Sequence, residues 1–317
     1  MKTISIMPNR KRIISIVVSF FIGIFFVNGC SYIENYKEML IRKQLFSELK
    51  TVILGNCTLK RFGEAEDGGY LMCENLMKDV RSAYSYGIGG KDKWGCDVSK
   101  KYNLIVHQYD CFNLRRPVCA KGKFIFHEEC VGDKYFICED ETFDRLTNQI
   151  ISEDEIFDRL TNQIISENKT YYVLTNQIIS ENKTFDSLTN QIIKNKDGKK
   201  KLVVKMDVEG AEWDTLLETP DEVLKNIDQL IVEFHGTRQE KYIKVFKKLK
   251  NIFYLVNVHY NNSACADGIK PFPSLAYEVL FVNKRIGKPN KNEPAAHRIS
   301  SLNSPNHREL EDCQTLQ

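Results

Sequence analysis

Between positions 83 and 110 the chain reads as strand, glycine loop, helix, strand, acid. Ala83, Tyr84, Ser85 and Tyr86 favour a strand, Gly87, Ile88, Gly89 and Gly90 follow, residues 94–101 carry a helical pattern, and residues 104–109 form a second apolar strand ending in Asp110. Strands joined through a helix run parallel, and a parallel sheet must be covered on both faces, so this order commits the chain to an α/β layer fold. Glycines serve where backbone turns sharply and approaches a ligand. A carboxylate at the tip of the second strand is placed to accept both ribose hydroxyls of an adenosine. Gly87, Gly89, Gly90 and Asp110 are therefore the candidate cofactor-binding residues; the alternative is an ordinary tight turn with Asp110 as a helix cap. The full Gly-x-Gly-x-x-Gly spacing is absent and no second nucleotide half follows, which disfavours a dinucleotide-dependent oxidoreductase.

Further apolar runs extend the sheet. Residues 124–126 read as a third strand followed by His127, a satisfied polar residue at a strand end. Residues 202–206 read as a fully buried strand that delivers Asp207, Glu209, Gly210 and Glu212 onto its C-terminal turn, with a helix starting near Ala211. Capping of that helix explains Glu212, but explains less well why Asp207 and Glu209 precede it. Residues 229–234 lead to His235, residues 253–258 to His259, Asn261 and Asn262, and residues 277–282 close the sheet. Polar residues thus gather just beyond successive strands, where α/β folds place ligands. Asp207, Glu209 and His235 are the candidates for orienting and deprotonating a bound acceptor.

The N-terminus constrains the compartment. Lys2, Arg10, Lys11 and Arg12 precede an apolar stretch, residues 13–27, that fits either a signal anchor or a cleaved signal, with Val27 and Gly29 at the minus-three and minus-one positions of a cut before Cys30. On either reading the remainder is translocated. Cys57, Cys73, Cys96, Cys111, Cys119, Cys130, Cys138 and Cys265 make an even set inside the expected domain, which favours disulfides, with Cys30 and Cys313 outside it. No Cys-x-x-Cys or His-x-x-x-His pair is present, so no metal is expected from these motifs. Sequons begin at Asn56, Asn168, Asn182 and Asn261. A net charge of +3 over 317 residues argues against nucleic acid as a partner.

Leu-Thr-Asn-Gln-Ile-Ile begins at Leu146, Leu160, Leu174 and Leu188, each 14 residues after the last. The spacing is two heptads and helical, and a tandem duplication tolerated as a surface insertion at 143–193 is favoured over a protein-binding arm. The fourth copy, residues 185–193, sits directly before the strand at 202 and can serve as its crossover helix. The expected organisation is a hydrophobic N-terminal helix at 1–30, a stem helix at 31–53, the α/β domain at 54–284 and a disordered tail at 285–317, where apolar periodicity is lost.

The run Lys205-Met-Asp-Val-Glu-Gly-Ala-Glu-Trp213 resembles the Lys-x-Asp-x-Glu-Gly-x-Glu signature of FkbM-type S-adenosylmethionine-dependent methyltransferases. Glu66-Asp-Gly-Gly-Tyr70, Ser85-Tyr-Gly-Ile-Gly-Gly90, Tyr109-Asp-Cys111, Val258-His-Tyr-Asn-Asn262 and Tyr277-Glu-Val279 resemble the methyltransferase-like branch of animal secretory-pathway proteins. The similarity spans most of residues 54–282. It implies a class I methyltransferase Rossmann-like fold, a mostly parallel seven-stranded sheet with helices on both faces, and S-adenosyl-L-methionine as cofactor. Asp67 is expected near the cofactor's amino acid end. The chain departs from the family pattern in placing Tyr84, Ser85 and Tyr86 where an acid usually precedes the glycine loop. The expected activity is O-methylation of a hydroxyl on a glycan or small polar acceptor in the secretory pathway. Two further readings are a non-catalytic glycan- or protein-binding module on the same fold, and a cation-assisted enzyme in which Asp207, Glu209 and His235 ligate a hard ion.

Overall fold

The computed structural model describes residues 35–132 and 184–313. The apolar stretch at 13–27, Cys30, Cys138, the sequons at 168 and 182, and the first three repeat copies lie outside the described residues. Among the described residues no helix is long and apolar enough to cross a membrane.

Helix α1 (residues 35–48) precedes an antiparallel hairpin of β1 (Leu59–Gly63) and β2 (Gly69–Cys73). Then come β3 (Val80–Tyr86), α2 (Lys93–Tyr102), β4 (Ile105–Tyr109) and β5 (Lys123–His127). A short parallel ladder joins β6 (Cys130–Val131) to β7 (Phe185–Asp186). They are followed by α3 (Leu188–Lys194), β8 (Lys201–Met206), α4 (Glu212–Glu218), α5 (Asp221–Leu224), β9 (Ile227–His235), α6 (Glu240–Ile252), β10 (Phe253–Tyr260) and β11 (Ala276–Asn283). The central sheet has seven strands in the order β10-β11-β9-β8-β3-β4-β5, with β11 antiparallel to both neighbours and the remaining pairings parallel. The mostly parallel, Rossmann-like α/β sheet expected from the sequence is therefore present. Strand order runs outward from β3 to β5 on one side and from β8 to β9 on the other, so the order reverses between β3 and β8, and the crevice of such sheets opens beyond their carboxyl ends.

Side-chain alternation builds two cores. Leu202, Val204 and Met206 of β8 and Leu230, Val232 and Phe234 of β9 point to one face, against Leu45 of α1, Leu49 just beyond it, Ile192 of α3, Trp213 of α4 and Phe246 of α6. Val203, Ile231 and Leu280 point to the other face, covered by Trp94 and Val98 of α2 and by Phe62, Tyr70 and Met72 of the hairpin. Helices thus cover both faces. The hairpin was not anticipated, because its strands are short and their alternation is interrupted by Arg61 and Gly63.

Helix α1 packs on the domain: Leu45 and Leu49 are fully buried, Phe46 stacks on His297, and Lys250 Nζ donates to Glu48 Oε2 at 2.6 Å. One domain boundary differs from expectation. The segment expected to be a disordered tail packs back along the domain over 285–313. Thr51 pairs with Ala296 and Leu54 with Pro289, Asn303 bonds Asn257, Asn306 bonds Glu278, and Cys313 closes a disulfide with Cys265. Backbone bridges, asparagine amides and a covalent link do here what apolar burial usually does, which is why hydrophobic periodicity did not reveal it.

Among the described residues four disulfides form: Cys57–Cys73, Cys96–Cys119, Cys111–Cys130 and Cys265–Cys313. They fit an oxidising, secreted or lumenal environment. Of the two sequons within the described residues, Asn56 donates to Ile286 O and accepts from Lys288 N, and Asn261 donates to Glu233 and accepts from Ser263 N, so both side-chain amides are committed to the fold.

The fourth repeat copy performs the crossover. Ser187 caps α3 by accepting from Asn190 N, Leu188 and Ile192 are buried, and Gln191 Nε2 donates to Cys130 O at 3.1 Å. Just after it, Asn195 donates to Tyr109 Oη at 2.7 Å, and the fully buried Asp197 accepts from Tyr84 Oη at 3.0 Å beside His107. Because this one copy supplies those contacts, excising residues 143–184 should leave a folded domain whose denaturant stability changes by no more than about 2 kcal/mol, the loop-closure scale. Loss of cooperative unfolding would show that the other copies carry structure.

His107 stacks on Tyr84 and shares its Nδ1 with His127 Nε2 at 3.1 Å. Burial, helped by His127 and Lys200 and opposed by Asp197, pulls its imidazole down to about 4 from an ordinary 6.5. The unfolded chain therefore binds this proton more readily than the native one. Stability should be intact above pH 6.5 and fall by about 3 kcal/mol as pH drops toward 4. Urea titrations of the native chain and of His107→Gln should diverge in that window, the variant having the flatter profile.

Candidate functional site

Lys205 organises the crevice. Its side chain, 6% exposed, donates from Nζ to Tyr86 O at 3.1 Å, to Gly87 O at 2.8 Å and to Asp207 Oδ2 at 3.3 Å. The ammonium so ties the end of β3 to the end of β8. Asp207 N also bonds Tyr86 O at 3.2 Å, and a Cβ on Gly87 would lie 1.5 Å from Asp207 O, so only glycine fits there.

On the β3 side, Gly87, Gly89 and Gly90 all have positive φ. Gly89 N donates to Asp110 Oδ2 at 2.8 Å, while Asp110 Oδ1 accepts from Phe112 N and Asn113 N. Asn113 Nδ2 returns to Gly89 O at 2.8 Å. The structure thus brings together the glycines and the acid that the sequence singled out. Open space faces the position a Gly89 Cβ would take. The loop after Asp110 is stapled by Cys111–Cys130 and Cys96–Cys119.

On the β8 side, the second cluster wraps around His235. Glu212, fully buried, accepts with Oε1 from His235 N at 2.7 Å, lies 3.1 Å from His235 Nδ1, and accepts with Oε2 from Gly210 N at 2.9 Å. Trp213 Nε1 donates to His235 O at 2.6 Å. Glu212 is therefore more than a helix-end acid; it fixes the histidine ring. Glu209, at φ +53°, presents Oε2 to His235 Nε2 at 3.4 Å, and one donor atom each from Asp207, Glu209 and His235 lie within 4.8 Å of one another. Burial opposes a charge on His235, but Glu212, Glu233 and Glu209 outweigh it and raise the imidazole well above its ordinary range.

A row of polar groups across the sheet was missed by the sequence reading. Residues of β8 and β9 on the hairpin face end in Asp207 and Glu233; in register, Glu233 faces Glu278 and Glu278 faces His259. Tyr70 Oη donates to Asp207 Oδ2 at 3.0 Å, Asn261 Nδ2 to Glu233 Oε1 at 2.7 Å and Asn306 Nδ2 to Glu278 Oε1 at 2.8 Å. Burial first, then the Asp207 and Glu278 carboxylates, pushes Glu233 well above the usual carboxylate range. Asp67 stands at the hairpin turn and pairs with Asn306 rather than with the glycine loop. Glu233 and Glu278 lie inside strands that read as apolar, and Asn306 in the segment read as a tail. A charged residue within a buried run was the physical signal available for Glu233 and Glu278.

Lys205→Met keeps the length of the stem but leaves Asp207 without its cation. Stability should fall by about 3 kcal/mol, the scale of breaking a buried pair, in chemical denaturation at neutral pH. An unchanged midpoint would show that the ammonium is not the tie between β3 and β8.

Neither a protein-family model nor a curated protein matches the chain.

Proposed function

We propose that the protein is an S-adenosylmethionine-dependent methyltransferase with a class I fold, acting on a hydroxyl of a glycan or other small polar acceptor in the secretory pathway. The observation that carries this reading is the joining of two clusters at the reversal point of the sheet. Gly89 and Asp110 form a backbone cradle with an acid at its edge, and through Gly87 and Lys205 that cradle is in direct contact with Asp207. The resemblance of the 205–213 run to the FkbM signature supports the same reading.

The cradle suits an adenosyl cofactor. Gly89 opens to free space, so a ligand can approach its backbone, and Asp110 Oδ2, which accepts from Gly89 N, keeps a second lone pair to accept from a ribose hydroxyl, while Oδ1 is filled by Phe112 N and Asn113 N. The cofactor would supply an electrophilic methyl group. The residues of the chain then align the acceptor and manage its proton, which is where an in-line displacement gains most from a protein. Asp207 directs Oδ2 to Tyr70 and Lys205, which leaves Oδ1 to orient a hydroxyl. Glu209 and His235 flank the same space. His235, its ring fixed by Glu212, orients the acceptor, and the base role falls to the carboxylates.

The alternative, a non-catalytic glycan- or protein-binding module, draws on Tyr84 and Tyr86. They stand where an acid usually precedes the glycine loop, and they are buried in the helix-covered core away from the crevice.

Calorimetry with S-adenosylmethionine should show binding by the native chain, weakened by about 1–3 kcal/mol in Asp110→Ala through lost charge-assisted hydrogen bonds. Absence of binding by the natively folded chain would sink the methyltransferase reading. Labelled methyl transfer to a glycan library, abolished in a Glu209→Gln and His235→Ala double variant, separates enzyme from module.

A further inference from the structure

We propose that Asp207, Glu209 and His235 form a binding site for a divalent cation of the Mn²⁺ class. The inference stands independently of methyl transfer, because the site is defined by its own ligands and can be loaded without cofactor.

The argument begins with the ligand set. Two carboxylates and one imidazole supply two hard oxygens and one nitrogen, a combination that suits Mn²⁺ better than the all-oxygen preference of Ca²⁺. Their donor atoms lie within 4.8 Å of one another, and the 3.4 Å between Glu209 Oε2 and His235 Nε2 is close to the roughly 3 Å that separates adjacent ligands held about 2.1 Å from one ion. Small side-chain rotations close the remaining gap, and the Glu209 side chain is 85% exposed.

A second observation comes from outside the three ligands. Glu212 is fully buried and engages His235 Nδ1 at 3.1 Å, so the ring is fixed in rotation and its Nε2 is the nitrogen presented to Glu209 and Asp207. A carboxylate behind a histidine, setting its tautomer and raising its basicity, is the outer-shell arrangement of metal-bound imidazoles. Lys205 and Tyr70 fix Asp207 in the same way by occupying Oδ2.

Helix capping does not account for these acids. The residue at the start of α4, Ala211, has no side-chain cap, while Asp207 turns toward Lys205 and Glu209 toward His235. The cation's remaining coordination positions would face the crevice, where water or the hydroxyls of a polar ligand can complete them.

The test is titration of the full-length native protein with MnCl₂, following the loss of the free-ion electron paramagnetic resonance signal, with pulsed measurements for nitrogen coupling. One ion per chain is expected, with imidazole nitrogen coupling, and EDTA should reverse it. Glu209→Gln should weaken binding about tenfold or more and Glu212→Gln about tenfold, the scale of outer-shell effects. His235→Ala should abolish the nitrogen coupling, with circular dichroism and thermal melts of each variant confirming the fold. No saturable binding up to about 1 mM, the weak end of protein sites for such ions, overturns the proposal. Stoichiometric binding that survives unchanged in Glu209→Gln and His235→Ala places the ion elsewhere and overturns it equally. Failure of S-adenosylmethionine binding with Mn²⁺ binding retained would remove methyl transfer alone.

Discussion

Lys205 carries an ammonium group to the place where two central parallel strands end, and it spends its donors on the carbonyls of Tyr86 and Gly87 and on the carboxylate of Asp207. An ammonium taken out of water is costly unless it is fully met. Here three oxygens meet it, and the ring of Tyr70 lies 5.3 Å from Nζ. Meeting that demand fixes the separation of the glycine loop from the acidic turn. Gly87 is locked against Asp207 by the same approach, so the glycine loop and the acid and histidine cluster form one crevice.

The rest of the chain supports that junction from remote positions. The hairpin brings Tyr70 over Asp207, β10 brings Asn261 to Glu233, and the C-terminal segment brings Asn306 to Glu278. Disulfides close these segments where the apolar core does not reach them: Cys265–Cys313 anchors the returning chain, and two bridges hold the loop beyond Asp110. In a chain passing through an oxidising compartment, such links can replace core packing as the means of fixing surface segments.

The run from Lys205 to Trp213 acquires a physical explanation apart from any family. Lys205 ties two strands, Asp207 faces the crevice, and Glu212 and Trp213 grip the backbone and ring of His235 from a neighbouring strand. Glu209 adopts a left-handed backbone that turns its side chain toward the same histidine. Nearly every polar residue of the segment is thus spent on positioning two or three groups, as a site built for charge management requires.

Legibility divided along physical lines. The central strands and the glycine loop could be read because short-range rules govern them: apolar runs bounded by glycine or acid, and parallel strands that require helical crossovers. Asp110, Asp207, Glu209 and His235 were legible for the same reason, since each follows a strand directly and the sheet alone sets its place. Glu233, Glu278, Asn306 and Tyr70 were not, because their meeting depends on strand register and on a hairpin and a C-terminal segment folding back over one face, contacts separated by up to hundreds of positions in the chain. The repeat shows the same limit from the other side. Sequence position singled out the fourth copy as the crossover helix, whereas the bonds of Asn195 to Tyr109 and of Asp197 to Tyr84, which fasten its downstream end, depend on the fold. Local sequence determined which elements form and which chemical groups stand at their ends; only tertiary structure decided which of those groups share a crevice, because burial forces each polar atom to find a partner wherever the fold provides one.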